Sequence, residues 1–200
     1  MIKKAFILFL VSFFLSIFYF ALNPRFNQNI NEESFNDFDV TIYRDRFGVP
    51  HIIGKKDKDT AYGLAYAHAE DDFETIQDMM LFARGKLASK KGRKMASSDY
   101  LLQLLKVWEV VNANYDSNIS AETKSILNGY AAGLNHYALK NPKMTYRGLF
   151  PVTAKDIVAG FVHRMPLMFG LDDAIKNATE KGNSESVSYT HLRAHETTNY

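Results

Sequence analysis

The chain has 200 residues, of which 46% are hydrophobic and 14% aromatic, enough to bury one sizeable core and too apolar for intrinsic disorder. Its formal net charge of +2 comes from interspersed signs rather than a basic stripe, so nucleic acid is not indicated as a partner. With no cysteine, a disulfide framework, a thiol nucleophile and a thiolate metal site are excluded, while an oxidising compartment stays permitted.

Lys3 and Lys4 precede an uncharged, almost wholly apolar run from Ala5 to Leu22, about eighteen residues and roughly one bilayer crossing. Residues 1–22 therefore read as a secretory signal or a membrane anchor, with the positive end cytoplasmic and the rest exported. No small-x-small cleavage site precedes Asn23, which favours an uncleaved anchor over a cleaved signal. Residues 23–37, dominated by Asn with Glu, Ser and Pro and scattered Phe, read as a tether with little regular structure.

The β-branched and aromatic run at Val40, Ile42 and Tyr43 is broken by Gly48-Val49-Pro50 and resumes at His51 to Ile53, which predicts two short strands around a turn. Pro50 belongs at an edge or a strand start. A helix follows, capped by Asp57 or Asp59, with Ala61, Leu64, Ala65 and His68 on one side. Phe73, Ile76, Met80 and Ala83 suit burial, and Glu70, Glu74 and Asp78, four residues apart, form a solvated acidic stripe. Lys86 to Lys94 is a basic, glycine-containing loop without a phosphate-cradling pattern.

Tyr100, Leu101, Leu104, Leu105, Trp108 and Val111 recur at helical spacing and predict a second amphipathic helix capped by Ser98 or Asp99. A third starts at the Ser120 cap and stops before Pro142, with Gly129 and Gly133 permitting close packing. Thr153 with Asp156 three residues on forms a capping box for a fourth helix, which Pro166 and Gly170 bend or end. The class is thus mainly α with a few short strands. Residues 187–200, following Ser186, read as a translated sequencing-adapter tail and are set aside, so His191 and His195 form no metal site.

Several of these stretches together resemble the opening of penicillin amidase family precursors. They are Arg44, Asp45, Gly48, Pro50, His51 and Ile52; Tyr62, Gly63, His68, Ala69, Glu70 and Asp71; Ala83, Arg84 and Gly85; and the run from Gly129 to Asn135. The resemblance spans about Val40 to Thr179 and falls within residues 38–186. It implies the α-chain part of an αββα N-terminal nucleophile hydrolase, an exported amidohydrolase acting on linear amides. The nucleophile would be the first residue of a β-chain cut from the same precursor, usually serine, whose α-amine activates the hydroxyl through a water. No serine here stands at such a junction, and Gly182-Asn183-Ser184 has the order wrong, so no residue of this chain is assigned a catalytic role.

The resemblance further implies that Phe161, Arg164 and Met165 line an acyl pocket, with Arg164 gating it or orienting a substrate carboxylate. The substrate would be a small acyl amide joining an apolar acyl group to an amine, of penicillin or N-acyl homoserine lactone type, in a periplasmic or membrane-anchored enzyme. Relatives of this kind hold a structural calcium, and Asp172 or Asp173 lies near the expected place; one acidic pair is too small a donor set, so neither metal nor cofactor is assigned to this chain. His51 and His68 are read as structural histidines. A membrane-anchored helical binding module without catalysis is the alternative reading.

Overall fold

In the computed structural model, the described residues are 12–15, 30 and 32–184. Apart from residues 12–15, the segment read as a signal or anchor (residues 1–22) lies outside them, as do most of the tether and the adapter-like tail. Among the described residues no helix is long and apolar enough to cross a membrane.

Two strands, β1 (Val40–Arg44) and β2 (Pro50–Gly54), pair antiparallel with Ile42 opposite Ile52 and Arg44 opposite Pro50. Asp45 closes their turn, its Oδ1 accepting from the N–H of Phe47 at 2.8 Å and of Val49 at 3.0 Å, while Gly48 takes the left-handed conformation at φ 82°. Those two bonds hold the Asp45 carboxyl below its ordinary pKa, the one to Phe47 foremost. Alternation puts Val40, Ile42 and Ile52 inward and leaves Tyr43, His51 and Ile53 exposed.

The inner face rests on helix α1 (Asp57–Ala83) at Gly63, where a Cβ would come within 2.7 Å of both Val40 and Ile52. Asp59 reaches back to the Lys56 N–H at 3.0 Å, so of the two candidate caps it is Asp59 that satisfies an orphan donor. The chain then continues through α2 (Ala88–Lys91), α3 (Ala96–Leu104), α4 (Val107–Asn118), α5 (Ala121–Lys140), α6 (Ala154–Met168) and α7 (Leu171–Ser184).

The most extensive packing joins α1 to α5. Small residues make it possible: a Cβ on Gly129 would stand 2.2 Å from the Lys58 carbonyl oxygen, and one on Gly133 would stand 2.2 Å from that of Tyr62. The two backbones meet where no other residue fits. Ala65, Ala69, Phe73 and Leu81 of α1 bury against Ala131, Leu134 and Ala138 of α5 and against Leu149, Phe150 and Val152 of the connecting loop. A second cluster joins Ala83, Leu102, Val107, Val111 and Ala159.

Local signals near caps hold. The Ser120 hydroxyl accepts from the Thr123 N–H at 3.1 Å, and Asp156 accepts from the Thr153 N–H at 2.7 Å and its hydroxyl at 2.8 Å. Pro166 lies within α6, which ends at Met168 before Gly170.

Six expectations need correction, among them the end of the tether described below and the Lys86–Lys94 stretch, which reads as a loop in the sequence and holds α2 (Ala88–Lys91) and the start of a 3-10 turn at Arg93. The Tyr100–Val111 pattern is two helices, because Lys106 adopts φ 51° and turns the chain between α3 and α4. Asp99 sits inside α3 and caps a different helix, accepting from the N–H groups of Leu87 and Ala88, each at 2.9 Å. The acidic stripe on α1 is interrupted at Asp72, whose non-helical φ of −152° lets its side chain accept from the Thr75 N–H at 3.1 Å and restart the helix. Glu70 therefore meets Arg44, whereas Glu74 and Asp78 both pair with Lys91. Leu64 and His68 are exposed rather than sharing the buried side of Ala61 and Ala65.

The end of the tether is ordered. Glu32–Asp37 forms a 3-10 helix whose Phe35 is buried and stacks on His136, with ring centroids 4.5 Å apart.

Candidate functional site

Helix α6 positions the three residues singled out for an acyl pocket, and its own position is set by a buried ion pair. Arg84, at the end of α1, places Nε 2.6 Å from Asp156 Oδ1 and Nη2 2.9 Å from Asp156 Oδ2. The same guanidinium donates to the carbonyls of Leu149 and Pro151, the latter at 2.9 Å. One side chain thus ties the end of α1, the loop before α6 and the first turn of α6. Burial alone would raise the Asp156 pKa, but the Arg84 fork and the Thr153 donors overcome it and hold the carboxyl below its ordinary value.

Phe161, Arg164 and Met165, at i, i+3 and i+4, share one face of α6, and all three are exposed, Phe161 at 61% and Met165 at 42%. Phe161 and Arg164 line an apolar groove of about 410 Å³ between three helices. Met79 and Met80 of α1 form one wall, Ile126, Leu127 and Tyr130 of α5 the second, and Ile157 and Gly160 of α6 complete the third. Met165 lies on the same face, but outside the groove lining. The Tyr130 hydroxyl is 3.2 Å from His68 Nδ1, and burial raises the Tyr130 pKa, so the groove's phenol is neutral at physiological pH.

The opposite face of α6 carries a residue that sequence reasoning missed. His163 is fully buried, its ring stacked on Phe82 at 4.0 Å, and neither ring nitrogen has a hydrogen-bond partner among the described residues. Burial pushes its pKa down, with the neighbouring Phe82 backbone and Asp99 acting weakly the other way, so the ring is neutral near pH 7. A pattern-based signal existed: His163 falls two residues from Phe161 and therefore on another face of the helix. Its lack of partners could be seen only in three dimensions.

Elsewhere, the Tyr62 hydroxyl hydrogen-bonds His136 Nδ1, and burial pushes the Tyr62 pKa up to about 12. Burial, then Lys140, lowers the His136 pKa. His51 stacks on Tyr43 at 4.7 Å and lies 3.4 Å from Asp45. Ser89 and Ser117 donate to backbone carbonyls, and Ser120 is a cap. Asp172 and Asp173 are exposed in the first turn of α7, and among the described residues no three His, Cys, Asp or Glu side chains cluster as metal ligands. Calcium takes about six to eight oxygens, so these two carboxylates do not by themselves fit it.

Residues 39–185 match the family model for penicillin amidase. The chain belongs to the penicillin amidase family. This family member is 31% identical over 104 residues to an acyl-homoserine lactone acylase of Pseudomonas fluorescens, a match covering 48% of this chain and 13% of the relative. It is 30% identical over 98 residues to the penicillin acylase 2 proenzyme of a Pseudomonas species, covering 49% of this chain and 12% of that protein. The chain thus spans about an eighth of the length of these curated relatives. Its fold is similar to that of a thermostable penicillin G acylase from Alcaligenes faecalis, with a TM-score of 0.51 over 66% of this chain and 74% of that one, at 22% identity. Mainly helical architecture with one small sheet is therefore the fold of this part of a penicillin amidase family protein.

Proposed function

We propose that this chain is the α-chain part of an exported penicillin amidase-type precursor, which hydrolyses a linear amide between an apolar acyl group and an amine. The observation that carries this reading is the groove. Its walls are almost wholly apolar, yet Arg164 is among its lining residues, and among the described residues no carboxylate forms an ion pair with it. Such a site holds an apolar chain by burial and meets a carbonyl or carboxylate oxygen with a guanidinium. Phe161, Arg164 and Met165 are the substrate-binding residues of this reading.

The chemistry would come from a terminal serine on a β-chain of the same precursor. Its hydroxyl would attack the amide carbonyl, its own α-amine taking the proton through a water, and the amine product would leave before water releases the acid. This chain's part is to bind and orient the acyl group. The family match favours the hydrolase over an anchored binding module. Relatives named for penicillin and for acyl-homoserine lactones bracket the substrate class.

The test is to recover the source gene through and beyond the codons for residues 182–200, express the continuous frame, and assay acyl amides. Amide turnover accompanied by a cleavage that leaves serine first on the downstream chain is expected. A frame lacking such a serine, or a full-length product without amidase activity, overturns the reading.

A further inference from the structure

The segment that leads into β1 lies as a strap across α1 and α5. Phe35, its buried side chain, rests on the His136 ring with the two planes 16° from parallel. Phe38 lies on Tyr62 in the same way, with centroids 4.4 Å apart and planes at 12°, and Lys58 Nζ stands 5.2 Å from its ring. Glu32 forms an exposed ion pair with Lys140, one helical turn beyond His136 on α5. Exposed pairs contribute little, so the strap is held mainly by its rings, and the buried ring rests on a titratable partner.

That partner is suited to the strap only while neutral. His136 Nδ1 shares a hydrogen bond with the Tyr62 hydroxyl, and its ring is enclosed by Phe35, Tyr66 and Tyr62, with centroids 4.5, 5.4 and 6.0 Å away. The titratable groups facing it are Glu32 of the strap, Tyr62 and Tyr66 of α1, and Lys140 of its own helix. Burial pushes both phenols up, so neither supplies a negative charge near neutral pH. Burial first, then Lys140, lowers the His136 pKa from its ordinary 6.5, with Glu32 acting more weakly the other way.

We propose that Phe35 and His136 form an acid-released latch: in neutral solution residues 32–38 close on α1 and α5, and in mild acid the protonated ring is freed to water and the strap opens. The open strap leaves His136 with its ordinary affinity for a proton, which the closed strap reduces. The latch is therefore complete above pH 6.5 and weakens as pH falls towards the folded value. Opening adds the span of residues 32–38, roughly 23 Å of extended chain, to the length that precedes the domain. It also uncovers the cavity of about 350 Å³ that Ser34 and Phe35 line with Asn128, Ala131 and Val152. Neither the strap nor His136 lines the apolar groove, so the latch does not depend on the amidase reading.

Hydrogen–deuterium exchange of the protein expressed from its complete gene, corrected for the intrinsic pH dependence of amide exchange, reads the opening of peptides covering residues 32–38 at pH 7 and pH 5. About tenfold more opening is expected at the lower pH, while residues 129–134, where α5 comes closest to α1, stay within about twofold. His136→Gln keeps a polar partner for Tyr62 and cannot titrate, so strap opening should be the same at both pH values. Should that variant fail to fold, Lys140→Met gives a second reading. Removing the cation raises the His136 pKa, so the ratio between the two pH values shrinks, although losing the Glu32 pair opens the strap more at both. A wild-type strap that opens no further in acid, the result expected if the Phe35 ring face held the imidazolium, overturns the latch. So does an acid response that survives His136→Gln or is unchanged by Lys140→Met.

Discussion

Replacing Arg84 by methionine keeps the aliphatic bulk at the end of α1 and removes the guanidinium that anchors α6. Asp156, whose side chain is 3% exposed, would be left with only the Thr153 donors. Breaking a buried pair from one side costs about 3–5 kcal/mol. Arg84 keeps 20% of its side chain in solvent, and Thr153 still satisfies one Asp156 oxygen, which favours the lower end of that range. A loss of about 3 kcal/mol corresponds to a roughly hundredfold larger opening equilibrium for the first turns of α6.

Hydrogen–deuterium exchange of the protein expressed from its complete gene, read by mass spectrometry on peptides spanning residues 149–160, measures this directly. The sign with pH is also determined. The folded pKa of Asp156 is depressed, so its contribution is complete above the ordinary value of 3.8 and is lost as pH falls through the folded value. In the methionine variant burial acts unopposed by the cation, the carboxyl titrates at higher pH, and the difference from wild type narrows on acidification. Wild-type exchange rates in those peptides near pH 7 would refute the anchoring role.

His163 gives a second handle. Its folded pKa is depressed below the ordinary 6.5, so the stability it permits is complete above that value and declines as pH falls towards the folded value. His163→Phe should preserve the stack on Phe82, remove two unpartnered nitrogens and flatten the loss of thermal midpoint between pH 7 and pH 5. An unchanged pH profile would show that His163 is not the titrating group. Gly133→Ala forces a methyl against the Tyr62 carbonyl and should cost about 1–3 kcal/mol or more, read as a lower thermal midpoint with α1 and α5 forced apart. An unaltered midpoint would contradict the close-packing account.

What the sequence made legible is what short-range chemistry decides. Ser120 and the Thr153–Asp156 pair announce helix starts because a cap and its donors lie within three residues. The hairpin was readable from alternation around Gly48. Lys106 was not, because a lysine at positive φ carries no local signal and the break is imposed by packing Val107 and Val111 into the second cluster. Nor was the kink at Asp72, where a residue with helical neighbours caps a new turn instead.

The site divides in the same way. The shared face of Phe161, Arg164 and Met165 follows from helical spacing. The walls that make a groove of it come from Met79, Ile126 and Tyr130, on helices distant in sequence. Arg84 and Asp156 meet across 72 positions, so neither the pair nor its hold on the loop before α6 could be read from local pattern.

The most direct test of the proposed function is photoaffinity labelling of the protein expressed from its complete gene, with an N-acyl homoserine lactone carrying a diazirine near the end of its acyl chain. After irradiation and digestion, label should map to Met79 or Met80 of α1 and to residues 157–164 of α6, and excess dodecanoic acid should suppress it. Labelling confined to other parts of the protein, with these peptides clean, would contradict the claim that this groove holds the acyl group.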